Sequence, residues 1–119
     1  TRQALLLEPD RIIPPLIGAM VQQQQIGIVV PVTEQIVEQA GKWQHLPVPP
    51  CYAVASPYEG DQATFISAAR TLQAQGAALV VMDCVGYHQQ HRAALQQQLG
   101  VPVLLSNELV ARLAAALLP

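Results

Sequence analysis

Residues 78–92 read Ala78-Leu79-Val80-Val81-Met82-Asp83-Cys84-Val85-Gly86-Tyr87-His88-Gln89-Gln90-His91-Arg92. The first five residues are apolar without a break, as in a parallel strand covered on both faces rather than a half-exposed one. A polar turn follows, and then a helical pattern in which Ala94, Leu95 and Leu99, with His91 as a further candidate, share a face. Three other runs have the same character: Ile26 to Val30, Cys51 to Ala55, and Val101 to Leu105. Each leads into a helical stripe. These are Ile36, Val37, Ala40 and Trp43; Phe65, Ile66, Ala69 and Leu72; and Leu109, Val110, Leu113, Ala116 and Leu117. Strict strand–helix alternation predicts an α/β domain, an open three-layer αβα fold on a four-stranded parallel sheet with right-handed crossovers. Strand order 2-1-3-4 puts the longest apolar runs in the middle.

The punctuation between these runs is consistent. Thr33, Asp61 and Asn107 are candidate N-caps, and Gly76 and Gly100 stand where a left-handed residue closes a helix. Leu46 to Pro50 is too rich in proline for helix or central strand and reads as a linker. A further helix is expected from about Pro14 to Val21, with Pro14 and Pro15 in its first turn and Ile13, Leu16, Ile17, Met20 and Val21 on its buried face. Ahead of it, Ala4 to Glu8 is a strand-like run ended by Pro9, outside the count of four.

The 119 residues suffice for one domain with its own core, and 51% of them are hydrophobic. Only 12% are charged, and the net charge is −2. Scattered Arg and Lys, one Phe and one Trp give no support for nucleic-acid binding. No apolar run approaches a bilayer span, and no signal-peptide pattern is present, so no membrane partner is expected. The two Cys form neither a CxxC pair nor a disulfide framework, which makes a cytoplasmic setting the default.

Ligands of open α/β sheets bind beyond the carboxyl ends of the strands, where strand order reverses. For order 2-1-3-4 that place lies between the first and third strands, among Pro31-Val32-Thr33-Glu34 and Asp83 to His88. Cys84 is the sharpest candidate. A thiolate is a nucleophile or proton acceptor, and the following helix and two His are suited to activating it. The alternative is a buried apolar filler. Cys51, at the start of its strand, reads as structural. His88 and His91 are three apart and suit acid–base work, while Asp83 either orients a His or caps its own turn. The spacing of Asp83, Cys84, His88 and His91 is not a known zinc pattern, and no metal is expected. Thr33 is either a carboxylate ligand or a plain N-cap, and Ser106-Asn107-Glu108 is equally open. Gly86 suits a tight turn, and Tyr87 either reaches a ligand or packs. Neither GxGxxG nor a P-loop occurs, so no nucleotide cofactor is expected.

Several segments together resemble the C-terminal half of the AroM protein family. They are Leu7-Glu8-Pro9, Arg11 to Leu16, Gly27 to Pro31, Lys42-Trp43-Gln44, Met82 to Arg92, Val101 to Asn107, and Val110 to Ala115. That family is associated by name with aromatic amino-acid biosynthesis genes. It is in turn similar to the aspartate/glutamate racemase superfamily, in which two α/β domains face each other across a cleft and each supplies one Cys as acid or base. The second-domain run of that superfamily, similar to Gly-Cys-Thr-His-Tyr-Pro, lays its Cys on Cys84 and its Tyr on Tyr87. Its Thr becomes Val85, its His becomes Gly86 and its Pro becomes His88.

The resemblance implies residues 1–9 as the last strand and linker of a first domain, and residues 10–119 as the racemase-like second domain. It implies Cys84 as acid/base or nucleophile, assisted by His88. Pro31, Thr33, Val85, Gly86, Tyr87 and Ser106 would then shape a site for a small carboxylate metabolite, without a cofactor. The rival expectation is a non-catalytic metabolite-binding module. Either way the isolated chain is expected to be inactive, and to pair as a homodimer or with a first domain through its N-terminal run and last helix.

Overall fold

The structure, a computed structural model, describes residues 8–58, 62–84 and 86–118. Four strands form one parallel sheet: β1 (Gln25–Val30), β2 (Cys51–Val54), β3 (Ala77–Met82) and β4 (Val103–Leu105), in the order β2-β1-β3-β4. Five helices accompany them: α1 (Pro9–Met20), α2 (Gln35–Lys42), α3 (Gln62–Ala74), α4 (Gln89–Gln96) and α5 (Ser106–Ala116). The expected sheet order and the α/β class are both found.

Continuous apolar strands are explained by what lies on each face. Ile26, Ile28, Val30, Leu79 and Val81 pack with Ile13 and Ile17 of α1, with Trp43 just past α2, and with Leu109 and Val110 of α5. The alternate residues Val29, Val80, Met82, Val103 and Leu105 pack with Phe65, Ala69 and Leu72 of α3 and Leu95 of α4. Side chains on a strand alternate between faces, so a sheet with two covered faces needs apolar residues at every position. Gly27 serves the α3 side by staying small, since a Cβ there would stand 2.9 Å from Leu72 Cδ2 and 3.2 Å from Ala77 Cβ.

Several boundaries differ from expectation, each for a local reason. α1 begins at Pro9, not Pro14. Pro9 takes the first helical position, where its missing N–H costs nothing. The Glu8 carbonyl accepts the N–H groups of Arg11 and Ile12 at 3.0 and 3.1 Å. Pro14 and Pro15 therefore lie inside the helix, and Leu16 and Met20 are largely exposed. In α2 the inward face is Ile36 and Gln39, continued by Trp43, while Val37 is 80% exposed. Glu34 rather than Thr33 is the N-cap of α2, and Thr33 contributes its carbonyl to the Ile36 N–H at 3.0 Å. α5 starts at Ser106, so Asn107 falls in its first turn instead of capping it. Gly76 does close α3 with φ 78°, which a residue without Cβ adopts freely. Gly100 has no such φ. There the Gln96 side chain does the capping, donating to the carbonyls of Leu99 and Val101 and accepting the Val103 N–H at 3.2 Å. The expected strand Ala4 to Leu7 and the cap Asp61 lie outside the described residues. Among the described residues no helix is long and apolar enough to cross a membrane.

Candidate functional site

The switch point of this sheet is the seam between β1 and β3, since the chain leaves β1 for β2 on one side and returns to β3 on the other. β3 remains tied to β1 beyond its last strand residue, because the Asp83 N–H donates to the Val29 carbonyl at 3.1 Å. That bond fixes Asp83 and Cys84 at the carboxyl edge.

Cys84 is half-buried and opens a tight turn in which the Tyr87 N–H donates to the Cys84 carbonyl at 3.2 Å. Its Sγ accepts the Gly86 N–H at 3.4 Å. The thiol borders a cleft of about 400 Å³ lined by Glu8, Pro9, Asp10, Asp83, Ser106 and Asn107. Ser106 is buried, with Oγ 3.2 Å from the Met82 carbonyl and 3.0 Å from Asp83 Oδ1, so it joins the fourth strand's end to the third. Cys51, by contrast, is buried at the opposite edge, its Sγ 3.5 Å from the Ile26 carbonyl, and burial pushes its thiol pKa up.

The remaining predicted residues that the structure describes do not line this cleft. Thr33 is exposed on its loop, and Pro31 is buried behind it. Tyr87 is wholly enclosed. Its hydroxyl donates to the Ala55 carbonyl at 2.5 Å, and burial drives its phenol pKa far up, so it pins the turn to the second strand. His88 caps α4 in a reciprocal arrangement: its side chain accepts the His91 N–H, and its own N–H donates to His91 Nδ1 at 2.9 Å. It lines a neighbouring depression with Asn107 and Glu108 rather than the Cys84 cleft. His91 stacks on Phe65, ring centroids 5.1 Å apart, and burial together with the His88 charge lowers its pKa. Gly86 is buried, and Val85 lies outside the described residues. Among the described residues no group of three or more His, Cys, Asp or Glu is placed to hold a metal ion.

A polar cluster that sequence reasoning missed occupies the same edge. Lys42 Nζ lies 2.5 Å from Asp83 Oδ2 and 2.7 Å from Asp10 Oδ1. Gln39 Nε2 donates to Asp83 Oδ2 at 2.9 Å, and its Oε1 accepts the buried Trp43 indole N–H at 2.7 Å. Burial alone would lower the Lys42 pKa. The hydrogen bonds and charges of Asp10 and Asp83 outweigh it and raise that pKa, so the ammonium is held. These side chains border a second cleft of about 440 Å³ with Glu38, which shares Asp10 and Asp83 with the first. Two signals pointed to the cluster. Gln39 and Lys42 are three apart on the helical face that carries Ile36 and Trp43, and Asp10 stands just after a proline suited to a helix start.

The family model described as AroM protein matches residues 1–118 of the chain. No curated protein and no solved structure matches it.

Proposed function

The chain belongs to the AroM protein family, and from that premise we propose that the Cys84 cleft is one wall of a racemase-like site for a small carboxylate-bearing metabolite. In this reading Cys84 is the acid/base or nucleophile, a facing α/β domain closes the opposite wall, and the work is cytoplasmic and cofactor-independent. The supporting observation is the thiol itself. It is accessible, receives a backbone N–H at 3.4 Å, and borders a cleft at the switch point of the sheet. Proton transfer beside a carboxylate needs a group that is both reachable and held in place, and the turn holds Cys84 by two hydrogen bonds.

The test is alkylation by iodoacetamide followed by peptide mass spectrometry. Cys84 should label well ahead of buried Cys51, and succinate should slow it. A Cys84→Ser variant should lack the fast phase. Equal, slow labelling of both thiols in the folded protein would defeat the catalytic reading.

One observation favours a second reading, a non-catalytic binding module linked to aromatic amino-acid metabolism. Among the described residues no His lines the Cys84 cleft, and both oxygens of the neighbouring Asp83 carboxylate are committed to Lys42, Gln39 and Ser106. A binder would still be stabilised by a carboxylate ligand, while its thiol stayed sluggish.

A further inference from the structure

A carboxylate ligand at this edge is held most strongly by a cationic donor, and the basic side chains are unevenly placed. Arg92 and Arg112 face a different depression, beside Val103, Leu104 and Leu109. Arg70 is an exposed residue of α3, on the other side of the sheet from Lys42. Arg11, exposed on α1, lines neither cleft, and among the described residues Lys42 is the basic residue that lines the two clefts sharing Asp10 and Asp83.

Its two carboxylate partners are unequal. Lys42 and Asp83 are 14% and 11% exposed, and Asp83 is further held by Gln39 and Ser106. Asp10, on the first turn of α1, is 79% exposed, and Lys42 is the partner that holds its carboxylate at 2.7 Å. A pair with one solvated, unsupported partner contributes little, whereas the buried pair is costly to break. Displacement of the Asp10 carboxylate by a ligand's therefore keeps one carboxylate on that side of Lys42, turns Asp10 toward solvent, and leaves the Lys42–Asp83 pair intact. Asp10 also borders the cleft that contains Cys84.

We propose that Lys42 is the anion-anchoring residue of this edge, and that Asp10 is an internal carboxylate occupying the ligand's place until a ligand carboxylate displaces it. This deepens the reading of the edge as a carboxylate site and rests on it. An ammonium presents three N–H donors, enough to keep Asp83 at 2.5 Å while the carboxylate now at 2.7 Å, that of Asp10, is exchanged. The raised Lys42 pKa agrees with a permanently charged anchor rather than a proton carrier.

The experiment is a titration with succinate, followed by two-dimensional amide NMR, of the wild type and three variants of the chain. Asp10→Asn should bind succinate about three- to five-fold more tightly, the scale of one exposed ion pair released as a competitor. Glu38→Gln removes the same charge from the same cleft without freeing Lys42, and should change affinity by less than two-fold. Lys42→Gln should lose binding about ten-fold or more, as for a charged hydrogen bond. If Lys42→Gln fails to fold, the comparison of Asp10→Asn with Glu38→Gln still decides. Equal gains in those two variants, or no gain with Asp10→Asn, would overturn the anchor. The same outcome follows if succinate shifts no amide in any variant. The alkylation assay separates the two claims. Succinate protection of Cys84 that is unaltered by these substitutions leaves the cleft reading standing and removes the anchor. Tighter binding by Asp10→Asn without protection of Cys84 does the reverse.

Discussion

Tyr87 was open between ligand and core on sequence grounds, and its hydroxyl decides the matter. The group is enclosed and donates to the Ala55 carbonyl, an acceptor at the end of the neighbouring outer strand. Tyr87→Phe keeps the ring against Phe65 and His91 but leaves that carbonyl without its donor. The loss should be about 1–3 kcal/mol, the penalty for one unsatisfied buried group, read as a lower urea midpoint at unchanged slope. Because the same bond pins the turn that carries Cys84, iodoacetamide labelling of that thiol should also speed up in the variant. Cys84 itself was legible, since a strand end at the switch point of a parallel sheet is a place that topology defines. Lys42 and Gln39 were not. Polar residues on a short helix ordinarily face solvent, and the partner these two share, Asp83, is far away in the chain.

Among the elements, α4 is distinctive in being started by two histidines. Reciprocal capping requires His91 Nδ1 to accept the His88 N–H, which a protonated imidazole cannot do. Burial against Phe65 holds the folded pKa of His91 below its ordinary value of 6.5. The unfolded chain thus takes up the proton first. The stability contributed by the neutral ring is complete above that ordinary value, and is lost as the pH falls from it through the depressed one. Urea midpoints measured between neutral and mildly acidic pH should fall for the wild type. They should fall less for His91→Asn, whose amide oxygen accepts the same N–H without titrating. A parallel pH response in the two proteins would mean that other groups govern acid stability. Element boundaries were the least legible level. The pair Pro14-Pro15 looked like a start signal, but the start is Pro9, and that displacement left Asp10 ahead of the expected helix rather than in its first turn.

At the level of the molecule, helices α1 and α5 pack side by side and leave apolar surface uncovered. Met20, Leu117 and Leu118 are 50% exposed or more, with Leu16 and Leu113 close behind. The low charge of the chain offers little repulsion between copies. Self-association is the expected result, with a two-fold dimer the simplest closed form. Light scattering over a concentration series should show the mass rising, and Leu117→Glu should suppress the rise. A concentration-independent monomer would rule this out. The sheet order was readable because the two central strands must be the longest and most apolar. The last helix was readable as a pairing surface because apolar residues run well round it, but not which of its leucines stay uncovered, since leucines at helical spacing look the same in either state. The order β2-β1-β3-β4 also bears on how the chain reaches its native state. The central seam pairs Ile26 with Leu79 and Val29 with Met82, and all of α2, β2 and α3 lies between those partners in the chain. Pairing of that kind pays loop-closure entropy before it yields contacts. The seam that places Cys84 beside its cleft is therefore among the last features to form during refolding, so thiol protection in a refolding experiment should lag behind the appearance of helical circular dichroism.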